Sequence, residues 1–123
     1  MPIVLAVAAG GGLGALARYG VDALIEHHAD ALFPWSTFTI NVSGCFLNGL
    51  LVALVVDSLG APQWLSRGLV VGFLGAYTTF STFGAETYEL TEMGRWGLAI
   101  ANVALSAAAG VAAVALGQAL GRA

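Results

Sequence analysis

Charged residues are scarce in this chain, and lysine is absent altogether. Only 9% of its 123 residues are charged and 59% are hydrophobic, and the mean hydropathy is +0.87. Soluble domains carry charge on roughly a quarter of their residues. The composition therefore excludes an ordinary soluble domain, and it provides no basic patch for a nucleic-acid partner. It predicts an integral membrane protein with the lipid bilayer as its solvent.

Cysteine is nearly absent too, since Cys45 is the only one. An intrachain disulfide is therefore impossible. Cys45 lies inside an apolar run, so we interpret it as an inert packing thiol. The chain also lacks a nucleophile with a base, a glycine-rich phosphate loop and metal-ligand spacing, and we assign no metal to His27 and His28. We predict that it is not an enzyme.

Four apolar segments stand between the charged residues. A helix needs about 20 apolar residues to cross ~30 Å of hydrocarbon, so we predict spans at about 2–25, 36–56, 68–85 and 96–119. The third is the shortest and most polar. Because no basic residue precedes the first segment, we interpret it as a retained span and not a signal peptide. Prolines and tryptophans near the starts of the later spans support these boundaries: Pro34, Trp35, Pro62, Trp64 and Trp96.

The connections are short, which predicts a single four-helix transmembrane domain over residues 1–123. If both termini share one side, Arg67 and Arg122 lie on that side, and Arg95 and Arg18 lie on the other. Orientation normally follows an excess of Lys and Arg on the cytoplasmic side, and here there is no excess. We therefore expect insertion in both orientations. Since four short helices leave little room for an aqueous path, transport would need more than one copy.

Span three holds the least lipid-like stretch of the chain, which runs Thr78-Thr79-Phe80-Ser81-Thr82-Phe83. A single hydroxyl can bond to the carbonyl one turn back, but four together can line a polar path or hold an opened backbone. Irregular backbone is tolerated at membrane depth only beside protein or water, and Gly72 and Gly75 favour such a break. The two phenylalanines either pack or present their positive ring edges to an anion.

Asparagines occur at seven-residue spacing in span two, at Asn41 and Asn48, so they line one side of a helix. A buried asparagine can bridge helices, or its amide can serve as a neutral donor to an anion. Asn102 and Ser106 repeat the pattern in span four at a spacing of four residues. Spacing alone leaves both interpretations open.

These residues resemble the Fluc (CrcB) fluoride channels over nearly the whole length. The resemblance lies in Gly10-Gly11-Gly12-Leu13-Gly14-Ala15 leading to Arg18-Tyr19, in Pro34-Trp35-Ser36-Thr37-Phe38 leading to Asn41, Gly44 and Gly49, and in the stretch from Gly72 to Phe83 followed by Glu86. The Gly-x-x-Thr-Thr-Phe-Ser-Thr-Phe segment is its most specific part. Ala76 and Ser36 stand where the family usually has glycine.

The resemblance implies an all-α membrane protein with four transmembrane helices, the third broken near its centre, that assembles as an antiparallel, dual-topology homodimer in the inner membrane of a prokaryote. It also implies a passive fluoride-selective channel that lowers cytoplasmic fluoride. Phe80 and Phe83 would contact fluoride through ring edges, and Asn41 would be the pore donor. Further polar groups along the path would be Thr39, Ser81, Thr82, Asn102 and Ser106.

The resemblance further implies that backbone carbonyls of Gly75 and Thr78, from both subunits, hold a structural Na⁺ that is not transported. One alternative is a small proton-coupled drug exporter of the small multidrug-resistance type. Such a carrier needs a membrane-embedded carboxylate early in span one, and residues 2–17 contain none. Another alternative is an accessory subunit, which would not conduct by itself.

Overall fold

The computed structural model describes residues 1–28 and 31–123. Asp30, which bounded the predicted span two, and the side chain of His28 lie outside the described residues. Among the described residues, four helices are long and apolar enough to cross a membrane, which confirms the predicted four-span architecture. Span one is Ile3–His28, span two Trp35–Ser58, span three Gln63–Glu92 and span four Trp96–Arg122.

Span three corrects one expectation. Predicted to be the shortest, it is the longest of the four at 30 residues. We placed its ends at charged residues, but the helix continues through Glu86 and Glu89 and ends at Glu92. A helix can extend past the apolar region, so charge bounds the hydrophobic stretch and not the helix.

Prolines and a glycine set the helix ends. Pro34 precedes the first residue of span two and Pro62 precedes that of span three, as expected for a residue that cannot donate into a preceding turn. Gly94 follows the end of span three, and only glycine readily adopts its positive φ of 73°. Its N–H bonds to the Thr91 carbonyl and the Arg95 N–H bonds to the Leu90 carbonyl, which is a Schellman motif.

Spans one and three pack through glycines at four-residue spacing. A Cβ added at Gly72 would lie 2.6 Å from the carbonyl oxygen of Val7, and one at Gly68 would lie 3.1 Å from that of Ala6. From the other side, a Cβ at Gly14 would overlap the carbonyl oxygen of Phe73. Small residues therefore bring the two backbones together, as in other membrane helix pairs.

Spans two and four form the second close pair. A Cβ at Gly49 would overlap the backbone of Val114, and one at Gly117 would overlap that of Phe46. Cys45 lies against this pair, since its Sγ would be 3.3 Å from a Cβ at Gly110. Large apolar side chains mostly face outward. This is expected for a bundle in lipid, because lipid tails are as apolar as these side chains and burying them yields little free energy.

Two stretches of wider π-helix accompany these pairs. Span two continues from α-helix Trp35–Leu51 into π-helix Val52–Ser58, and the start of span three passes from α-helix Gln63–Arg67 into π-helix Gly68–Leu74. The second stretch carries the glycines that face span one. It leads through Gly75–Tyr77 directly to the candidate site.

Candidate functional site

Span three is interrupted at its centre, as the sequence predicts. Thr78 (φ −84°, ψ 161°) and Thr79 (φ −150°, ψ 115°) are extended, and they separate a first half-helix, 63–77, from a second half-helix, Phe80–Glu92. Thr79 caps the second half-helix, because its hydroxyl oxygen accepts the Thr82 N–H at 3.2 Å. The hydroxyl also lies 3.0 Å from the Thr82 hydroxyl. The Thr79 hydroxyl thus satisfies one of the N–H groups that the start of a helix leaves without a helical partner.

Asn41 of span two holds the break from the side. Its carboxamide nitrogen donates to the Thr79 carbonyl at 3.0 Å, and its carboxamide oxygen accepts the Thr79 N–H at 2.8 Å. The side chain therefore pairs with the Thr79 peptide much as a neighbouring strand would. Bridging two helices is one of the two roles that the spacing left open for Asn41, but its partner, the Thr79 backbone, was not predicted. The side-chain amide of Asn41 has two N–H groups. One donates to the Thr79 carbonyl, and the other takes no part in this pairing.

These bonds redirect two donors away from the helix. In a continuous helix the Thr79 N–H would donate to the Gly75 carbonyl and the Thr82 N–H to the Thr78 carbonyl. Here the first donates to Asn41 and the second to the Thr79 hydroxyl. The carbonyl oxygens of Gly75 and Thr78, the two residues that the resemblance connects with sodium, each lose their helical donor. Backbone oxygens of this kind are ligands for hard cations.

A second contact to span two involves Ser43 and Tyr77, neither of which was predicted for the site. The hydroxyls of Ser43 and Tyr77 lie 2.9 Å apart. Gly44 lies beside them, and a Cβ there would overlap the Thr78 methyl group. Helical periodicity could place Ser43 near Asn41, but nothing in the sequence gives the register between spans two and three.

An open groove with a volume of about 660 Å³ runs along the protomer beside the break. Phe80 and Phe83 lie at the groove with their ring centroids 5.8 Å apart and their planes tilted by 41°. The Phe80 side chain is 84% exposed on this single chain. The groove brings together most of the predicted site residues: Asn41, Gly75, Thr78, Phe80, Phe83 and Ser106.

Asn102 lies outside the groove lining and is 1% exposed. Its amide nitrogen donates to the Thr87 hydroxyl at 2.9 Å, and its carbonyl accepts from Ser106 at 3.2 Å. The Thr87 hydroxyl in turn donates to the Phe83 carbonyl at 2.7 Å. Within this chain Asn102 thus bridges span four to the second half-helix, which is one of the two roles that the spacing left open.

A smaller cavity of about 270 Å³ is lined by Arg18, Asp22, Thr79 and Thr82, among others. Thr79 lines both this cavity and the groove. Asp22 accepts a hydrogen bond from Ser36. The predicted residues Thr39 and Ser81 are exposed on the protomer and line neither space.

The fold and the site together define a class of protein. A helix broken at membrane depth, with polar groups gathered at the break beside a groove, is typical of membrane proteins that pass ions or small solutes. The protein is thus a multi-pass membrane protein with the features of a channel or transporter.

Comparison with known proteins narrows this class. The model of the family described as CrcB-like protein, Camphor Resistance (CrcB), matches residues 5–118, and the chain belongs to this family. A protein of Solibacter usitatus named fluoride-specific ion channel FluC is 45% identical over 118 residues, which are 96% of this chain and 97% of that protein. A protein of the same name from Saccharophagus degradans is 46% identical over 121 residues, covering 94% of this chain and 90% of that protein.

Proposed function

We propose that this chain is the protomer of a fluoride-selective passive channel. The observation that carries the proposal is the groove in which Asn41, Phe80 and Phe83 meet beside the break of span three, in a chain closely similar to proteins named fluoride-specific ion channels. The alternative of a proton-coupled drug exporter is not favoured. The carboxylates of span one, Asp22 and Glu26, lie in its last third and not early in the span.

The chemistry of the groove suits a small, strongly hydrated anion. Such an ion must exchange its water for many weak neutral donors, as in other filters that replace a hydration shell at close quarters. Amide N–H groups, hydroxyls and the positive edges of phenyl rings provide such donors. Because these groups carry no net charge, they do not trap the ion. Fluoride that enters the cell as neutral HF would leave the less acidic cytoplasm down its own gradient.

We further propose that two copies assemble as an antiparallel homodimer in the inner membrane of a prokaryote. The groove is open along one side of the protomer, so one chain does not separate an ion in it from lipid. A second copy over the groove would close the path and cover the exposed Phe80 ring. The even division of the arginines permits the two orientations that such a dimer needs.

Sodium is the cofactor that fits the break. The carbonyl oxygens of Gly75 and Thr78 have lost their helical donors, and freed carbonyls in broken membrane helices are recurrent Na⁺ sites. In an antiparallel dimer the same pair from each chain would give four oxygen ligands. A sodium ion bound there would offset the cost of the unpaired carbonyls and would not be transported.

Two substitutions test the role of the phenylalanines. Phe80→Ile and Phe83→Ile keep apolar bulk but remove the positive ring edge, so we expect fluoride efflux from liposomes to fall by at least tenfold. Glu92→Gln, at the exposed end of span three, is the control and should leave efflux nearly unchanged. If both isoleucine variants fold and conduct fluoride like the unmodified protein, the rings do not contact the ion.

A labelling experiment tests the topology. Single cysteines introduced near either terminus should react with membrane-impermeant reagents from both sides of the membrane in similar amounts. Lysines added at one terminus should bias insertion and lower activity unless an oppositely biased copy is present. A single orientation of the unmodified protein would contradict the antiparallel dimer.

A further inference from the structure

We propose that Ser43 and Tyr77 form a positioning pair that fixes the backbone of the break and thereby sets the affinity of the carbonyl site of Gly75 and Thr78. This inference rests on the proposed sodium site. Neither side chain would touch the ion. The pair would act through Thr78, which directly follows Tyr77 in the chain.

The pair joins the last residue of the first half-helix to span two. Tyr77 ends that half-helix, and Thr78 after it is extended. The Tyr77 hydroxyl lies 2.9 Å from the Ser43 hydroxyl. Tyr77 is 7% exposed, and a buried tyrosine hydroxyl needs a partner. In addition to the Asn41 contact to Thr79, this hydrogen bond thus joins the end of the first half-helix to span two.

The direction of the hydrogen bond follows from the donors available. Ser43 donates its hydroxyl proton to the Ile40 carbonyl at 3.1 Å. A serine has one O–H, so Tyr77 donates to the Ser43 oxygen. Ser43→Ala and Tyr77→Phe therefore remove the same bond from its two ends.

Neighbouring residues restrict the position of the Tyr77 ring. Tyr77 stacks on Phe73, with ring centroids 6.0 Å apart and planes within 13°. A Cβ at Gly44 would lie 3.3 Å from a Tyr77 ring carbon, so the ring lies close to the backbone of span two. The hydroxyl adds a hydrogen bond to Ser43 of the same span. Tyr77→Phe keeps the stacking and removes only that link.

The test is a sodium titration of thermal unfolding of the purified protein in detergent, with potassium chloride replacing sodium chloride at constant ionic strength. We expect sodium to raise the unfolding temperature of the unmodified protein. Half of the sodium effect is reached at a midpoint concentration. Tyr77→Phe and Ser43→Ala should each raise this midpoint about threefold, because a hydrogen bond in a membrane protein contributes about 0.6 kcal/mol and this energy corresponds to a threefold change in affinity. The double variant should show no more than a single one.

Tyr88→Phe is the matched control, because Tyr88 is an exposed tyrosine of the second half-helix. This substitution should leave the sodium titration unchanged. A purely structural pair would lower the unfolding temperature at every sodium concentration without moving the midpoint, and that result would overturn the proposal. If Ser43→Ala does not fold, Tyr77→Phe alone decides. An unmodified protein that conducts fluoride but ignores sodium would remove the sodium site, and with it this inference, while leaving the channel function in place.

Discussion

Removal of the Asn41 side-chain amide is the most informative test of the hydrogen bonds that stabilise the break in span three. Asn41→Leu keeps nearly the same size and shape but removes both bonds to the Thr79 peptide, at 3.0 and 2.8 Å. The Thr79 N–H is the group most affected, because Thr79 is 8% exposed and in the extended conformation has no helical acceptor. The Thr79 carbonyl is less affected, since a cap residue's carbonyl also accepts the first bond of its helix.

The magnitude follows from these two groups. A buried donor left unpaired costs about 1–3 kcal/mol, and the lost bond to the carbonyl adds about 0.6 kcal/mol, the average in membrane proteins. We therefore expect Asn41→Leu to lower the free energy of unfolding by about 2–4 kcal/mol. If the Thr79 N–H returns to the Gly75 carbonyl, the loss in free energy of unfolding should be smaller. The proposed sodium dependence should then weaken, because that carbonyl would be paired again.

Reversible unfolding in mixed micelles of mild and denaturing detergent, followed by tryptophan fluorescence, measures this effect. Asn48→Leu is the matched control, because Asn48 is the same residue type on the same helix and lines the same groove, with no contact to the break among the described hydrogen bonds. It should change the free energy of unfolding by less than about 1 kcal/mol. Equal losses in the two variants, or no change in stability or sodium dependence for Asn41→Leu, would refute the role assigned to Asn41.

Three further predictions concern packing, capping and surface charge. Gly14→Ala should lower the free energy of unfolding by about 1–3 kcal/mol, because the added methyl overlaps a backbone carbonyl of span three. Gly12→Ala, with open space around it, should be neutral or stabilising. Chemical denaturation measures both effects. Thr79→Val should cost about 1 kcal/mol in the same assay through loss of the cap to the second half-helix, and Thr79→Ser should retain most of that stability. Asp57→Asn breaks an exposed ion pair with Arg122 at 3.9 Å, so the free energy of unfolding should change by no more than about 0.5 kcal/mol at any salt concentration. Equal effects of the two glycine substitutions would contradict the close packing of spans one and three at Gly14. A large loss of stability for Asp57→Asn would contradict the small contribution expected of this ion pair.

Hydropathy was sufficient for the number of spans, because it depends on local composition. For the stretch around Thr78 and Thr79, the residues alone left two interpretations open, a polar path or an opened backbone. The resemblance to a known family implied the break in span three. The length of span three was mispredicted, because charge marks where the apolar region ends and a helix can continue beyond that point.

The contacts across the break could not be derived from the sequence. Periodicity places Asn41 and Ser43 on span two, but the register between two helices depends on how closely their backbones approach. That approach is set by glycines such as Gly44 and by the ring of Tyr77, whose positions are known only once the helices are packed. For the same reason, the bridge from Asn102 to Thr87 could not be distinguished from a pore-lining role.

The most direct test of the proposed function is an electrode measurement of anion efflux from liposomes that contain only this protein. Fluoride and chloride are loaded separately, and the same membrane potential drives each out. The proposal predicts rapid fluoride efflux and chloride efflux near the rate of protein-free liposomes. Equal rates for the two anions, or no fluoride efflux from well-folded protein, would contradict a fluoride-selective channel.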